Sequence, residues 1–329
     1  MAPRNPIAQK PPRDLYIEVT NRCNSRCQTC IRTFEQLEPL RDLQLAEFQA
    51  NVDQFHVLDR VVLHGIGEPL LHTELVDMIR YVKDRHPGSE VLFNSNATLL
   101  DEDWQRALID AGLDEYRISL DAATAATYAR IRGIDAFDMV VRNARHFAAL
   151  LRNAERPQLS FWIMAMRENL HELPALVDLA AEIGVSKVYV QRLVLIDHGL
   201  ARTEQSLYRR LRAQEKEVLA EETRRAQVHH LDFGASGLTS PQESLLGTSD
   251  CSACYRMWTT TYVTANGNVL PCCISPFSTT DYAGLILGNV FQSPFAQIWN
   301  GERYVARRAA LHTTHPLHPC ELCGSNWSL

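Results

Sequence analysis

Long apolar runs are missing from this chain of 329 residues, none approaching the ~20 residues that span a bilayer. The opening MAPRNPIAQKPPR is basic and proline-rich and lacks the apolar stretch of a secretory signal, so a cytoplasmic protein without a membrane partner is expected. An excess of positive charge is missing too: the net charge of -6 argues against broad attraction to nucleic acid or anionic lipid. There is no internal repeat and no long low-complexity segment. The 12 histidines show no metal-ligand spacing, and His229-His230 reads as a surface pair. Cysteine is absent between Cys30 and Cys251, yet the chain has 9. In a reducing compartment an odd total points to metal ligands or catalytic thiols ahead of disulfides.

What is present is a regular alternation. Strand-like runs LYIEVT, RVVLHG, EVLFNS, YRISLD, LSFWIMA and KVYVQRL are separated by segments with apolar residues at helical spacing, one of them ending in Gly184, a plausible C-cap. Such a series predicts βα units with a parallel sheet. Its length falls short of a closed eight-unit barrel, so the expected fold class is α/β, a partial (β/α)6 TIM-like barrel whose site lies at the C-terminal ends of the strands. The boundaries expected are an N-terminal extension over 1–14, a core over 15–228 and a small C-terminal α+β domain over 229–329. The charged stretch SLYRRLRAQEKEVLAEETRRAQ reads as a solvated connecting helix. In the C-terminal unit, TTTYVTANGNVLPCC reads as a hairpin turning at Asn266-Gly267, and SPFAQIWNGERYVARRAAL as a helix.

The stretch TNRCNSRCQTC places Cys23, Cys27 and Cys30 at C-x3-C-x2-C spacing directly after the first strand. A structural zinc site is normally closed by four protein ligands, and this trio supplies one fewer; a zinc knuckle borrowing a distant thiol is the bland alternative. Soft thiolates also hold iron-sulfur clusters, in which three cysteines leave one iron of a cubane open to another ligand.

That spacing after the first strand of a βα series resembles the radical S-adenosylmethionine (radical SAM) superfamily. The resemblance implies that the open iron is chelated by SAM, that a 5'-deoxyadenosyl radical is released on electron transfer, and that a flavodoxin- or ferredoxin-type donor supplies the electron. Three further motifs follow in the family's order. HGIGEPLLH contains Gly67-Glu68-Pro69, similar to the family's GGEP turn for the methionine amino group, with Ile66 where the pattern has its first glycine. FNSNATLL puts Asn96 in the place of a family asparagine, and ISLDAA gives Ser119 and Asp121 for the ribose hydroxyls. YARIRG offers Arg130 and Arg132, of which Arg132 is preferred for the SAM carboxylate. Thr29 stands where the family often has an aromatic residue. Taken singly, Glu68 could cap a helix, Asn96 could make a turn, and Ser119 or Asp121 could end a strand.

Cys254-x12-Gly267-x4-Cys272, followed by Cys320-x2-Cys323, resembles the start of a SPASM domain, the auxiliary iron-sulfur extension of radical SAM enzymes. With the chain ending at Leu329, the resemblance implies the shortened twitch variant. Its single auxiliary 4Fe-4S cluster would be held by Cys254, Cys272, Cys320 and Cys323. Cys251 and Cys273 are left over, either could replace its neighbour, and the paired C-x2-C spacing also fits a zinc ribbon.

The resemblance is specific for the machinery and poor for the substrate. The expected function is an oxidoreductase or lyase that oxidises a sugar-like or nucleoside-like small molecule in natural-product or antibiotic biosynthesis. The alternatives are maturation of a ribosomally made peptide and a non-catalytic zinc or redox-sensing protein. The metabolite is preferred because peptide-modifying relatives often carry an extra peptide-binding domain, whereas few residues precede the first strand. Candidate substrate contacts at the ends of the fifth and sixth strands are Trp162, Gln191 and Arg192, with core packing as the competing role for Trp162. No general base is identified.

Overall fold

The computed structural model describes residues 4–152, 154–207, 211–235, 254–277 and 281–311, with 313, 317 and 320. All the expected strands form: β1 (Asp14–Ile17), β2 (Arg60–Val62), β3 (Glu90–Ser95), β4 (Glu115–Ser119), β5 (Gln158–Ala165) and β6 (Lys187–Arg192). They pair in that order, each neighbour parallel. The crossovers carry α1 (Leu45–Val52), α2 (Leu75–Arg85), α3 (Glu102–Asp110), α4 (Ala125–Arg132), α5 (Phe137–Leu151) and α6 (Leu173–Ile183). Gly184 closes α6 with a φ of 92°, as expected of a left-handed cap.

Alternation along the strands sorts the side chains. Leu15, Ile17, Val61, Val91, Phe93, Tyr116, Ile118, Phe161, Ile163, Val188 and Val190 pack with the helices in the main core. Tyr16, Val62 and Leu92, one step out of phase, form a second cluster on the concave face. That concave face is where the site lies.

The charged stretch is less solvated than expected. It forms α7 (Ala213–Val228), which buries Glu215, Leu219, Glu222 and Ala226 and leads into β7 (Asp232–Ala235), parallel to β6. It is a crossover helix, and its apolar stripe is narrow enough to be hidden among charges. The hairpin forms as expected from β8 (Thr260–Val263) and β9 (Asn268–Leu270), with Gly267 at a φ of 81°. The other edge of β8 pairs parallel with β1, from Asp14 opposite Thr260 to Ile17 opposite Val263, so one sheet of 10 strands runs through both units. Its last strand is β10 (Gly288–Asn289), antiparallel to β9.

The expected C-terminal helix is broken in two. After the short α8 (Arg256–Thr259) come α9 (Phe295–Trp299) and α10 (Glu302–Ala310), with Gly301 as the N-cap of the second. Asn300 is diverted to the N-terminal segment, where it exchanges hydrogen bonds with the backbone of Ala8 at 2.9 and 3.0 Å. Arg308, fully buried, lies over the rings of Trp299 and Tyr304 and donates to Met257 O, Pro6 O and Asn300 Oδ1. The extension is thereby strapped across the auxiliary helices.

Candidate active site

Cys23, Cys27 and Cys30 lie on the loop that leaves β1 and line one cavity at the C-terminal ends of the strands. Local bonds shape this loop. Arg32 Nη2 donates to Cys23 O at 3.1 Å and Ser25 O at 2.7 Å, and Thr33 Oγ1 donates to Cys27 O at 2.8 Å. Ser25 N–H points at Cys23 Sγ over 3.4 Å, and Asn96 Nδ2 comes within 4.0 Å of the same sulfur. Burial pushes the Cys30 thiol up to about 12 and raises Cys23 as well. Ionised sulfur here requires a cation or a metal to compensate it. No three Cys, His, Asp or Glu side chains converge on a single point among the described residues. All three thiols line the cavity. Three thiols on one loop, with N–H groups directed at the sulfur of Cys23, fit a polynuclear iron-sulfur cluster.

The glycines of HGIGEP are packed against this loop. A Cβ on Gly67 would overlap the carbonyl oxygen of Thr20, and one on Gly65 would overlap Glu18 Oε1 and the Tyr262 hydroxyl. Glu68 does cap a short turn, accepting from Leu70 N at 3.1 Å, but its carboxylate also accepts from Ser95 Oγ and Asn96 N, both at 2.7 Å. An ionised carboxylate offers roughly four lone-pair sites, so about one is left for a ligand. Asn96 in turn donates to Asn24 Oδ1 at 2.8 Å and Ser25 Oγ at 3.0 Å, tying the end of β3 to the cysteine loop.

Asp121 and Arg132 form a buried pair in the lining of the same cavity. Arg132 Nη2 is 2.9 Å from Asp121 Oδ2, its Nη1 is 3.8 Å from Cys27 Sγ, and its Nε is buried without a hydrogen-bond partner. Burial raises the Asp121 carboxyl, with Arg132 and the Met164 N–H pulling the other way. Arg130 points outward to Glu168 and is exposed. Ser119, Trp162, Gln191 and Arg192 line the same cavity, closed on the auxiliary side by Ile274 and Phe277.

Trp162 has both of the roles weighed for it. It is 4% exposed, stacked on Tyr189 at 4.6 Å, with the Arg117 guanidinium 3.9 Å from its ring centre and Nε1 bonded to Ser160 Oγ. It is a fixed wall with one edge in the cavity. Among the lining residues that carry no sequence expectation are the polar His64 and Asn94. Both share the strand phase that turns Trp162 and Gln191 inward, so alternation was the signal that could have found them. Burial, then Arg117, lowers His64 to about 3, so the ring is neutral. Its Nδ1 lies 3.1 Å from the Asn94 N–H and accepts from it, which leaves the proton on Nε2.

In the auxiliary unit Cys254, Cys272 and Cys273 gather around Arg256, which donates to Cys273 Sγ at 2.8 Å. Arg307 lies within electrostatic reach of Cys272 and Cys320. Cys251 and the expected fourth ligand Cys323 lie outside the described residues.

Comparison with known proteins places this geometry. Residues 17–180 match the model of the radical SAM superfamily, and residues 254–324 match the SPASM iron-sulfur cluster-binding domain. The PqqA peptide cyclase of Gluconobacter oxydans is 26% identical over 96% of this chain and 85% of its own length. A tungsten-containing aldehyde ferredoxin oxidoreductase cofactor-modifying protein of Pyrococcus furiosus is 27% identical over 55% of this chain, and that match spans about half of the relative, 51%. Streptococcus suis SuiB bound to S-adenosylmethionine shares the fold, with a TM-score of 0.71, 16% identity and coverage of 91% of this chain and 68% of SuiB. The two domain types bring a SAM-binding 4Fe-4S cluster, SAM and auxiliary iron-sulfur ligation. This chain belongs to the radical SAM superfamily and carries a C-terminal SPASM-type iron-sulfur cluster-binding domain.

Proposed function

We propose that the protein oxidatively modifies a peptide. In this reading Cys23, Cys27 and Cys30 hold the SAM-binding cluster, and Cys254, Cys272, Cys320 and Cys323 the auxiliary one. The observation that carries the peptide reading is the similarity to a peptide cyclase across both units of the chain. The sugar-like or nucleoside-like metabolite expected from the sequence has no support of that extent, and the peptide takes its place as the preferred substrate. When bound, cluster and SAM supply one-electron chemistry that begins with removal of a hydrogen atom from carbon.

The chain's own residues then bind, orient and exclude water. Arg132 meets the SAM carboxylate, and its charge is held in place by Asp121. The remaining lone pair of Glu68 receives the amino group. Ser119 and Asp121 face the ribose. Beyond them, His64 Nε2–H and the Gln191 amide suit peptide carbonyls, Arg192 suits a carboxylate, and Trp162 forms a rigid wall that sets the width of the cavity. A flavodoxin- or ferredoxin-type protein is the proposed reductant.

The test is anaerobic reconstitution followed by incubation with SAM, a reductant and the short peptides encoded beside the gene. Loss of two hydrogens from one peptide, located by tandem mass spectrometry, supports the reading. Consumption of a sugar or nucleotide with every peptide unchanged returns the metabolite to first place.

A further inference from the structure

Glu18 directly follows β1 and is 2% exposed. Its Oε1 accepts from Ile66 N at 2.8 Å and from the Tyr262 hydroxyl at 3.4 Å, while Oε2 accepts from Ala265 N at 3.2 Å. These donors belong to different units. Ile66 stands between the glycines of the loop that ends in Glu68. Tyr262 and Ala265 belong to the hairpin whose second strand runs on to Cys272 and Cys273. Gly65 lies so close to the carboxylate that a Cβ there would overlap both Oε1 and the Tyr262 oxygen.

A second carboxylate completes the arrangement. Glu38 accepts from Thr264 Oγ1, Asn268 Nδ2, Asn266 Nδ2 and the Tyr282 hydroxyl. The hairpin turn is thus held from both sides, and Glu18 is the member that also grips the Gly65–Glu68 loop.

We propose that Glu18 is a positioning residue that couples the auxiliary hairpin to the loop receiving the SAM amino group, so that the setting of one unit fixes SAM affinity in the other. The proposal rests on the assignment of Gly67 and Glu68 to SAM made above. In the free backbone, Ile66 N–H would have several orientations open to it. With Oε1 in place it is held toward β1, and the adjoining Gly67 and Glu68 inherit that setting. The glycine pattern has its reason here: at Gly65 and Gly67 a side chain would separate the loop from Glu18 or from Thr20.

The experiment uses the reconstituted holoenzyme. SAM is titrated against the electron paramagnetic resonance signal of the reduced SAM-site cluster, with iron, sulfide, auxiliary signal and melting temperature measured in parallel. Glu18→Gln keeps the shape and one acceptor but turns an NH2 toward a backbone N–H. The expected result is SAM binding weaker by about tenfold, the scale of one buried hydrogen bond, with both clusters present and the auxiliary signal unchanged. Tyr262→Phe, which strips the longest arm, should weaken SAM by a smaller factor.

Wild-type SAM affinity in a Glu18→Gln protein with both clusters intact overturns the proposal. If that variant loses iron, Tyr262→Phe and Gly65→Ala decide between the outcomes. Unchanged SAM affinity in both also overturns it, and weakened affinity with an intact auxiliary signal supports it. A parent enzyme whose signal ignores SAM points instead to failure of the SAM assignment itself, so the two failures are distinguishable.

Discussion

The guanidinium of Arg132 bridges two partners of opposite kinds, standing 2.9 Å from the Asp121 carboxylate and 3.8 Å from the sulfur of Cys27. Removing it leaves Asp121 buried and uncompensated. Arg132→Met should therefore cost about 3–5 kcal/mol of stability, and Arg132→Met with Asp121→Asn should recover much of that. Denaturant melts of the two single variants and the double variant measure the coupling. Additive effects would mean that the pair does not act as a unit.

Two 4Fe-4S clusters require about eight irons and eight sulfides per chain. Replacing Cys23, Cys27 and Cys30 by alanine should remove about half of each and abolish reductive SAM cleavage. A triple variant that still forms 5'-deoxyadenosine would show that the trio does not hold the SAM-site cluster. Zinc without sulfide in the parent would favour a sensing protein over an enzyme.

A carboxyl group with no partner makes stability depend on pH. Glu222 in α7 is fully buried, neither oxygen has a hydrogen-bond partner, and burial raises it from 4.5 to about 8. Between those values the folded chain keeps the proton that the unfolded chain releases. Stability from this group is therefore complete below about 4.5 and is lost as pH rises through about 8. Glu222→Gln should melt with a shallower decline between pH 5 and pH 8.5 than the parent, comparing calorimetric scans at a common ionic strength; identical declines refute the assignment. Glu18, raised to about 7 by burial, contributes in the same direction.

Arg308 is fully buried among aromatic rings and is bonded only to oxygens of neutral groups among its recorded hydrogen bonds. Arg308→Ala should destabilise the auxiliary unit by about 3 kcal/mol or more, through lost packing and unpaired carbonyls. Limited proteolysis should then cut near the Asn5–Lys10 strap earlier than in the parent. Unchanged cleavage would show that the strap holds without the guanidinium.

The core strands are legible in the sequence because both faces of a parallel sheet are covered and the runs stay apolar. The hairpin is legible because Asn-Gly is a strong local turn signal. Other features depend on distant partners. The break between α9 and α10 falls at Asn300-Gly301, a local turn signal masked by apolar residues recurring on both sides, and it is held by the bonds of Asn300 to Ala8. In α7 the buried glutamates disguise a packed face as a solvated one. The cysteine loop, Glu68, Asn96, Asp121 and Arg132 are visible as motifs in chain order, and the structure gathers them around one cavity. His64 opens the HGIGEP stretch outside the family turn itself; strand alternation was its one sequence signal, and the pairing of β2 with β3 bears that phase out.

Asp14–Ile17 is laddered to β2 on one edge and to β8 on the other. Among the described residues, the cysteine loop and the auxiliary hairpin thus grow from adjoining rungs of a common plate. Their spacing is set by backbone geometry, as in a machined part. Ile274 and Phe277, which line the cavity from the auxiliary unit, are thereby carried on the same plate as the cysteines that share its lining.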